Sequence, residues 1–113
     1  MKQEINEYEF IRAFDEYGRS NNFSVEGRRA LYDYLLGLEE ETGQESELDV
    51  IALCCDYVEY SDAEEFAKDY GISTEAEAGT EEFKKEIEEE IEKNTTLIKF
   101  SDDLDDGFII QAY

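Results

Sequence analysis

At 113 residues the chain is the size of one domain, and its 41% hydrophobic and 13% aromatic content excludes a disordered acidic tail. A net charge of -22, from 32 acidic against 10 basic residues, excludes direct binding to nucleic acid or an anionic membrane and steers basic partners towards the surface. A compact chain of this length has a diameter of roughly 35 Å, and B-DNA of that length carries on the order of 20 phosphate charges, so the two match in magnitude.

In chain order, Ile5, Tyr8, Ile11, Phe14 and Tyr17 recur at spacings of three, with Phe10 and Ala13 beside them, which predicts a helix ended by Gly18. Ser24 is a good N-cap for a second helix, with Ala30, Leu31, Tyr34, Leu35 and Leu38 as its buried face and Gly43 as its stop. Gly27 and Gly37 lie inside that helix, where each costs roughly 1 kcal/mol relative to Ala, so close packing against a neighbour is expected at both.

Glu47 to Tyr60 is the one long apolar run, and Val50, Ile51 and Leu53 suit a pleated surface, so it reads as a buried strand around which the core forms. The positions Leu48, Ile51, Ala52, Cys55 and Val58 fit helical spacing as an alternative. On a strand the adjacent Cys54 and Cys55 point to opposite faces, which is no disulfide framework, and both are expected as buried free thiols. With no targeting segment after Met1 and no apolar run approaching membrane-spanning length, a soluble protein of a reducing cytosol is expected.

Ser61 and Glu64 have the spacing of a capping box for a short helix with Ala63, Phe66, Ala67 and Tyr70 inward, stopped by Gly71, and residues 72–79 read as a loop. Thr80 caps a longer helix whose Phe83, Ile87 and Ile91 form a narrow stripe, with Glu81–Lys85 and Glu89–Lys93 as favourable pairs. After Asn94 the pattern alternates at Thr96, Ile98 and Phe100 and again at Phe108, Ile110 and Ala112, with Asp106-Gly107 as a turn signal, which predicts a C-terminal hairpin. The expected fold is a single α+β domain, a small antiparallel sheet of about three strands covered by three to four helices.

Chemistry is poorly represented. A calcium loop with Gly107 at its sixth position would put Leu104 and Tyr113 where oxygen ligands are needed. The chain has no histidine and only two cysteines, which leaves zinc sites and the common nucleophile–base arrangements without ligands or a base. No Gly-rich phosphate loop is present, and no cofactor or metal is expected. Arg12, Arg19, Arg28 and Arg29 cluster in the first third and are expected to neutralise nearby carboxylates.

The informative residues are therefore the acids. A charge of magnitude 2 to 8 suffices for solubility, whereas -22 destabilises the fold by self-repulsion, so a phosphate-like surface for a nucleic-acid-binding partner is the expected use. The candidate partner-binding residues are Glu81, Glu82, Glu86, Glu88, Glu89, Glu90 and Glu92 on the last helix, with Asp102, Asp103, Asp105 and Asp106 in the hairpin.

The segments Asn22-Phe23-Ser24, Leu31 to Leu35, Thr42-Gly43, Glu47 to Tyr57, Glu59-Tyr60 and Ile109-Ile110-Gln111 resemble a group of small acidic proteins of phages and mobile elements. The chain is similar in size and acidity to antirestriction and anti-CRISPR proteins, several of which imitate nucleic acid. That resemblance implies a non-enzymatic inhibitor of a bacterial defence nuclease in the cytoplasm of a bacterial host, with a basic partner such as a Cas effector or restriction enzyme. The alternative is an interaction module, or a homodimer through a sheet edge or through Tyr57 and Tyr60, in which acidity serves solubility alone.

Overall fold

The computed structural model describes residues 5–45 and 47–113. Among these residues five α-helices and three strands follow one another as α1 (Glu7–Glu16), α2 (Val25–Thr42), α3 (Val50–Asp56), β1 (Tyr57–Tyr60), α4 (Ala63–Tyr70), α5 (Glu81–Asn94), β2 (Leu97–Lys99) and β3 (Phe108–Gln111). A 3-10 turn at Leu104–Asp106 precedes β3. The sheet is antiparallel in the order β1-β3-β2, so the last strand is central and the fold is α+β with one helix more than the apolar stripes suggested. The extents of 47 × 30 × 22 Å make the molecule longer in one direction than a sphere of equal mass.

Alternation on the strands explains why helices cover both faces of the sheet. Tyr60, Phe108 and Ile110 pack with Phe66 of α4 and Phe83, Ile87 and Ile91 of α5. Ile98 and Ile109 point the other way and pack with Phe10 and Phe14 of α1, Leu31 of α2 and Val50 of α3. Phe108, Ile109 and Ile110 are all fully buried, as a central strand covered on both faces requires.

The run around Cys54 is mostly helix, which corrects the strand reading. Asp49 caps α3 by accepting a hydrogen bond from Ala52 N at 3.0 Å, and only Tyr57–Tyr60 is extended, in register with Gln111 to Phe108. A short apolar run carries little periodicity, and the local cap decides it. As a consequence the thiols are not both buried: Cys54 is half-buried and Cys55 exposed.

Three further local expectations shift. The cap of α4 is Asp62, which accepts from Glu65 N at 2.8 Å, while Ser61 donates to Glu65 rather than boxing with Glu64. Close packing is found at Gly27, where a Cβ would stand 1.9 Å from Glu59 Oε1, but not at Gly37, which has nothing within 4 Å. The Asp106-Gly107 turn signal falls at the end of a 3-10 turn within the loop of the expected β2–β3 hairpin, where Gly107 (φ 105) permits the exit from that turn.

The α1–α2 layer is fastened by Arg28, only 3% exposed. Its guanidinium donates to Phe23 O, Ile11 O, Ser20 O and Asp15 Oδ1 at 2.9 to 3.2 Å. Arg12 and Arg29 pair with Glu16 and Glu7 at the surface, so three of the four clustered arginines do neutralise carboxylates.

Candidate functional site

The acidic helix α5 is positioned by its apolar stripe. Thr80 Oγ1 caps it by accepting from Phe83 N at 3.1 Å, Glu81 and Glu82 complement the positive end of the helix, and Phe83, Ile87 and Ile91 are buried against the sheet. Each of those three contributes about 1.5–3 kcal/mol by burial, enough to hold in place a helix whose other positions are mostly glutamate. Helical geometry then sends Glu82, Glu89 and Glu92 outward, Glu88 to one flank and Glu86 and Glu90 to the other. The first three are exposed and the flanking three half-buried.

The second acidic element is the loop between β2 and β3. Leu104 is buried and anchors it, while Ser101 Oγ donates to Asp106 Oδ2 at 2.6 Å and Asp105 N donates to Asp103 Oδ1 at 3.0 Å. Asp102, Asp103, Asp105 and Asp106 are all exposed.

Two lysines join the elements. Lys84 Nζ lies 3.3 Å from Glu81 Oε1, 3.1 Å from Asp103 Oδ1 and 3.3 Å from Asp105 Oδ2. Lys99 Nζ lies 2.6 Å from Glu88 Oε1. Glu81 therefore pairs with Lys84 rather than with Lys85 as its spacing suggested. Hydrogen bonding from Asp103 and its neighbours raises the Lys84 pKa, and Glu88 does the same for Lys99. The Asp103 carboxyl lies below the usual carboxylate value, first because of the Asp105 N–H and then because of Lys84.

Of the eleven candidate residues, Glu81, Asp103 and Asp105 converge on Lys84, and Glu88 is drawn to Lys99, whose pKa the charges of Asp102 and Glu92 also help to raise. Asp106 turns to Ser101. Glu82, Glu86, Glu89 and Glu90 take no part in these clusters. Glu90 lies on the far flank, where its carboxylate accepts from Asn94 Nδ2 at 3.1 Å.

The lysines matter to the charge balance. Helix α5 carries seven glutamates and three lysines over about 21 Å at 1.5 Å per residue. A duplex of that length carries about 12 phosphates and one of its strands about 6. Together with the four loop aspartates and Lys99, the two elements carry a net charge of -7, which is close to that of one strand rather than of a duplex.

Apolar contact sites are arranged differently from expectation. Tyr60 is buried and Tyr57 half-buried, so neither projects as a contact, whereas Tyr8, Tyr17 and Tyr113 are well exposed. Among the described residues no cluster of His, Cys, Asp and Glu could hold a metal ion, and no helix is long and apolar enough to cross a membrane. Comparison with known proteins finds no matching family, no matching curated protein and no matching solved structure.

Proposed function

We propose that this protein is a non-enzymatic inhibitor that places the α5 and β2–β3 loop carboxylates in the nucleic-acid groove of a basic protein, a bacterial defence nuclease being the target class. The observation that carries the reading is the joining of two acidic elements through Lys84, the pair carrying a net charge of -7 beside the about 21 Å of α5. Its density is that of a single phosphate strand, so a groove that grips one strand of DNA or RNA is the fitting receptor. Long-range attraction between such a face and a basic groove speeds association and weakens as salt is added.

The test is a cleavage assay with Cas effectors and restriction nucleases, titrated with the protein at two salt concentrations. Inhibition that falls with salt and is relieved by excess nucleic acid supports the reading. Inhibition indifferent to both overturns it.

A second reading is favoured by the exposed rings of Tyr8 and Tyr17 on α1, at 65% and 63% exposure. Tyrosines in that state are common at protein interfaces, and contacts made there would be insensitive to the α5 glutamates. Replacing Glu82, Glu86, Glu89 and Glu92 by Gln separates the two, since only the acidic mode loses affinity.

A further inference from the structure

The two edges of the sheet differ. β2 carries Lys99, a charge of the kind that keeps edge strands from pairing, whereas β1 has no lysine, proline or bulge along Tyr57–Tyr60. The register shows which backbone groups of β1 are in use. Ala112 N donates to Asp56 O at 2.8 Å, so Val58 and Tyr60, further along the same ladder, also bond inward to β3, and Tyr57 and Glu59 face away from it. Tyr57 N is taken by Leu53 O at the end of α3. Tyr57 O and both backbone groups of Glu59 have no hydrogen-bond partner among the described residues.

This edge and α4 line an open trough of about 490 Å³, formed by Val58, Glu59, Tyr60, Glu65, Lys68 and Asp69. Its acids lack a counter-ion among the described residues. Lys68 turns to Glu64 at 3.3 Å, Glu65 Oε2 accepts from the Ser61 hydroxyl, and Asp69 Oδ2 accepts from the buried Tyr60 hydroxyl. Glu59 is held by Ser24, whose N and Oγ both donate to its Oε1. The trough therefore offers unpaired backbone groups along one wall and unneutralised carboxylates along the other.

We propose that the β1 edge binds an extended segment of a basic protein, added antiparallel as a fourth strand, with Arg or Lys at the positions opposite Val58 and Tyr60. The residue between them, opposite Glu59, exchanges both backbone hydrogen bonds with it. Its two neighbours then point to the α4 side, as Val58 and Tyr60 do, where their aliphatic stems cover Val58 and their charges reach Glu65 and Asp69. Main-chain bonding supplies affinity in such a contact and the alternate side chains supply specificity. A second copy is the poorer occupant, since it would set the trough carboxylates of two chains, each of net charge -22, against one another. The site uses no residue of the α5 and β2–β3 loop surface and goes beyond the reading given for it.

The experiment titrates the full chain with three short peptides of equal charge. One alternates Thr and Arg, one has the same residues in two blocks, and one is the alternating peptide N-methylated at its threonines, whose N–H groups are the ones that face β1. The alternating peptide binds about tenfold more tightly than either of the others, the size of one to two net backbone hydrogen bonds, and it slows amide exchange at Glu59. Glu65→Gln combined with Asp69→Asn reduces its advantage over the block peptide. Equal affinity for all three peptides, Glu59 exchange unaltered by the alternating one, or pairing of the chain with itself at β1 overturns the proposal. The Gln variant at Glu82, Glu86, Glu89 and Glu92 keeps both the preference and the Glu59 protection, so failure of the α5 reading leaves this one standing; loss of the preference in that variant would place the peptide on α5 and overturn it.

Discussion

Lys84 Nζ lies 3.1 Å from Asp103 Oδ1, across the gap between α5 and the loop that leads into β3. The depressed Asp103 pKa means that its contribution to stability is present above the ordinary value of 3.8 and is lost as pH falls through the folded value. For Lys84 the folded pKa is raised, so its contribution is complete below the ordinary 10.5 and is lost only as pH rises through the folded value. The contact therefore holds across neutral pH and opens on acidification. Replacing Lys84 by Met moves the Asp103 midpoint up towards 3.8 without reaching it, because the larger cause, the Asp105 N–H, remains. Carbon-detected NMR titration reads this directly, and an unchanged midpoint would mean that the two groups are not in contact.

Arg28 is the most heavily used cation among the described residues, with three backbone carbonyls and Asp15 on one buried guanidinium. Arg28→Ala takes four donated hydrogen bonds from these acceptors, of which Asp15 Oδ1 keeps only Ser20 Oγ at 2.7 Å, and lowers stability by on the order of 3 kcal/mol. Arg28→Lys is also destabilising, since an ammonium cannot span four acceptors placed around a planar fork. Urea denaturation checks both, and a midpoint equal to that of the unaltered chain would contradict the assignment.

Two glycines of the same helix respond in opposite directions. Gly37 has open space around it, so Gly37→Ala stabilises by about 0.5–1 kcal/mol through helix propensity. Gly27→Ala drives a methyl group into the Glu59 carboxylate, which holds the α2 N-cap residue Ser24 by accepting from its N at 2.9 Å, and into Phe100. That substitution destabilises by about 1–3 kcal/mol. Thermal melts of the two variants give the comparison, and equal shifts of one sign would refute it.

The adjacent thiols differ in reactivity. Cys55 is exposed, while burial pushes the Cys54 thiol up, so a disulfide reagent meets one fast and one slow group. Cys55→Ser removes the fast phase. Two equal rates in the unaltered protein would contradict this difference.

Phe83, Ile87 and Ile91 are legible because a stripe among glutamates has only one apolar side, and all three are buried. On α1 a spacing of three drifts around the helix, so Tyr8 lies in water while Phe10, Ala13 and Phe14 are inside; Tyr17 shares their side but stands past the last turn as the C-cap, and is exposed. The run from Val50 to Cys55 misleads because propensity and apolarity favour a strand, yet the Asp49 cap and the sheet's need for only four residues there favour a helix. The true spine is β3, whose three buried residues look like any short alternating strand until both faces are covered.

The candidate site was legible as charge and illegible as connection. Counting acids locates α5 and the loop, but sequence spacing pairs Glu81 with Lys85, and only the tertiary approach of the loop makes Lys84 the shared counter-ion. The rings of Tyr70 and Tyr113, stacked at 4.8 Å, behave likewise, since they are 43 positions apart and meet only because β3 brings the chain back beside α4.

The most direct measurement captures bacterial lysate proteins on the immobilised chain and elutes them first with single-stranded DNA or RNA and then with about 0.5 M salt, where charge interactions reach only a few ångströms. The account predicts that the retained proteins bind nucleic acid, leave in either step, and are not retained by the Gln variant at Glu82, Glu86, Glu89 and Glu92. Proteins that stay on through both steps, or that hold the chain and nucleic acid together, would contradict it.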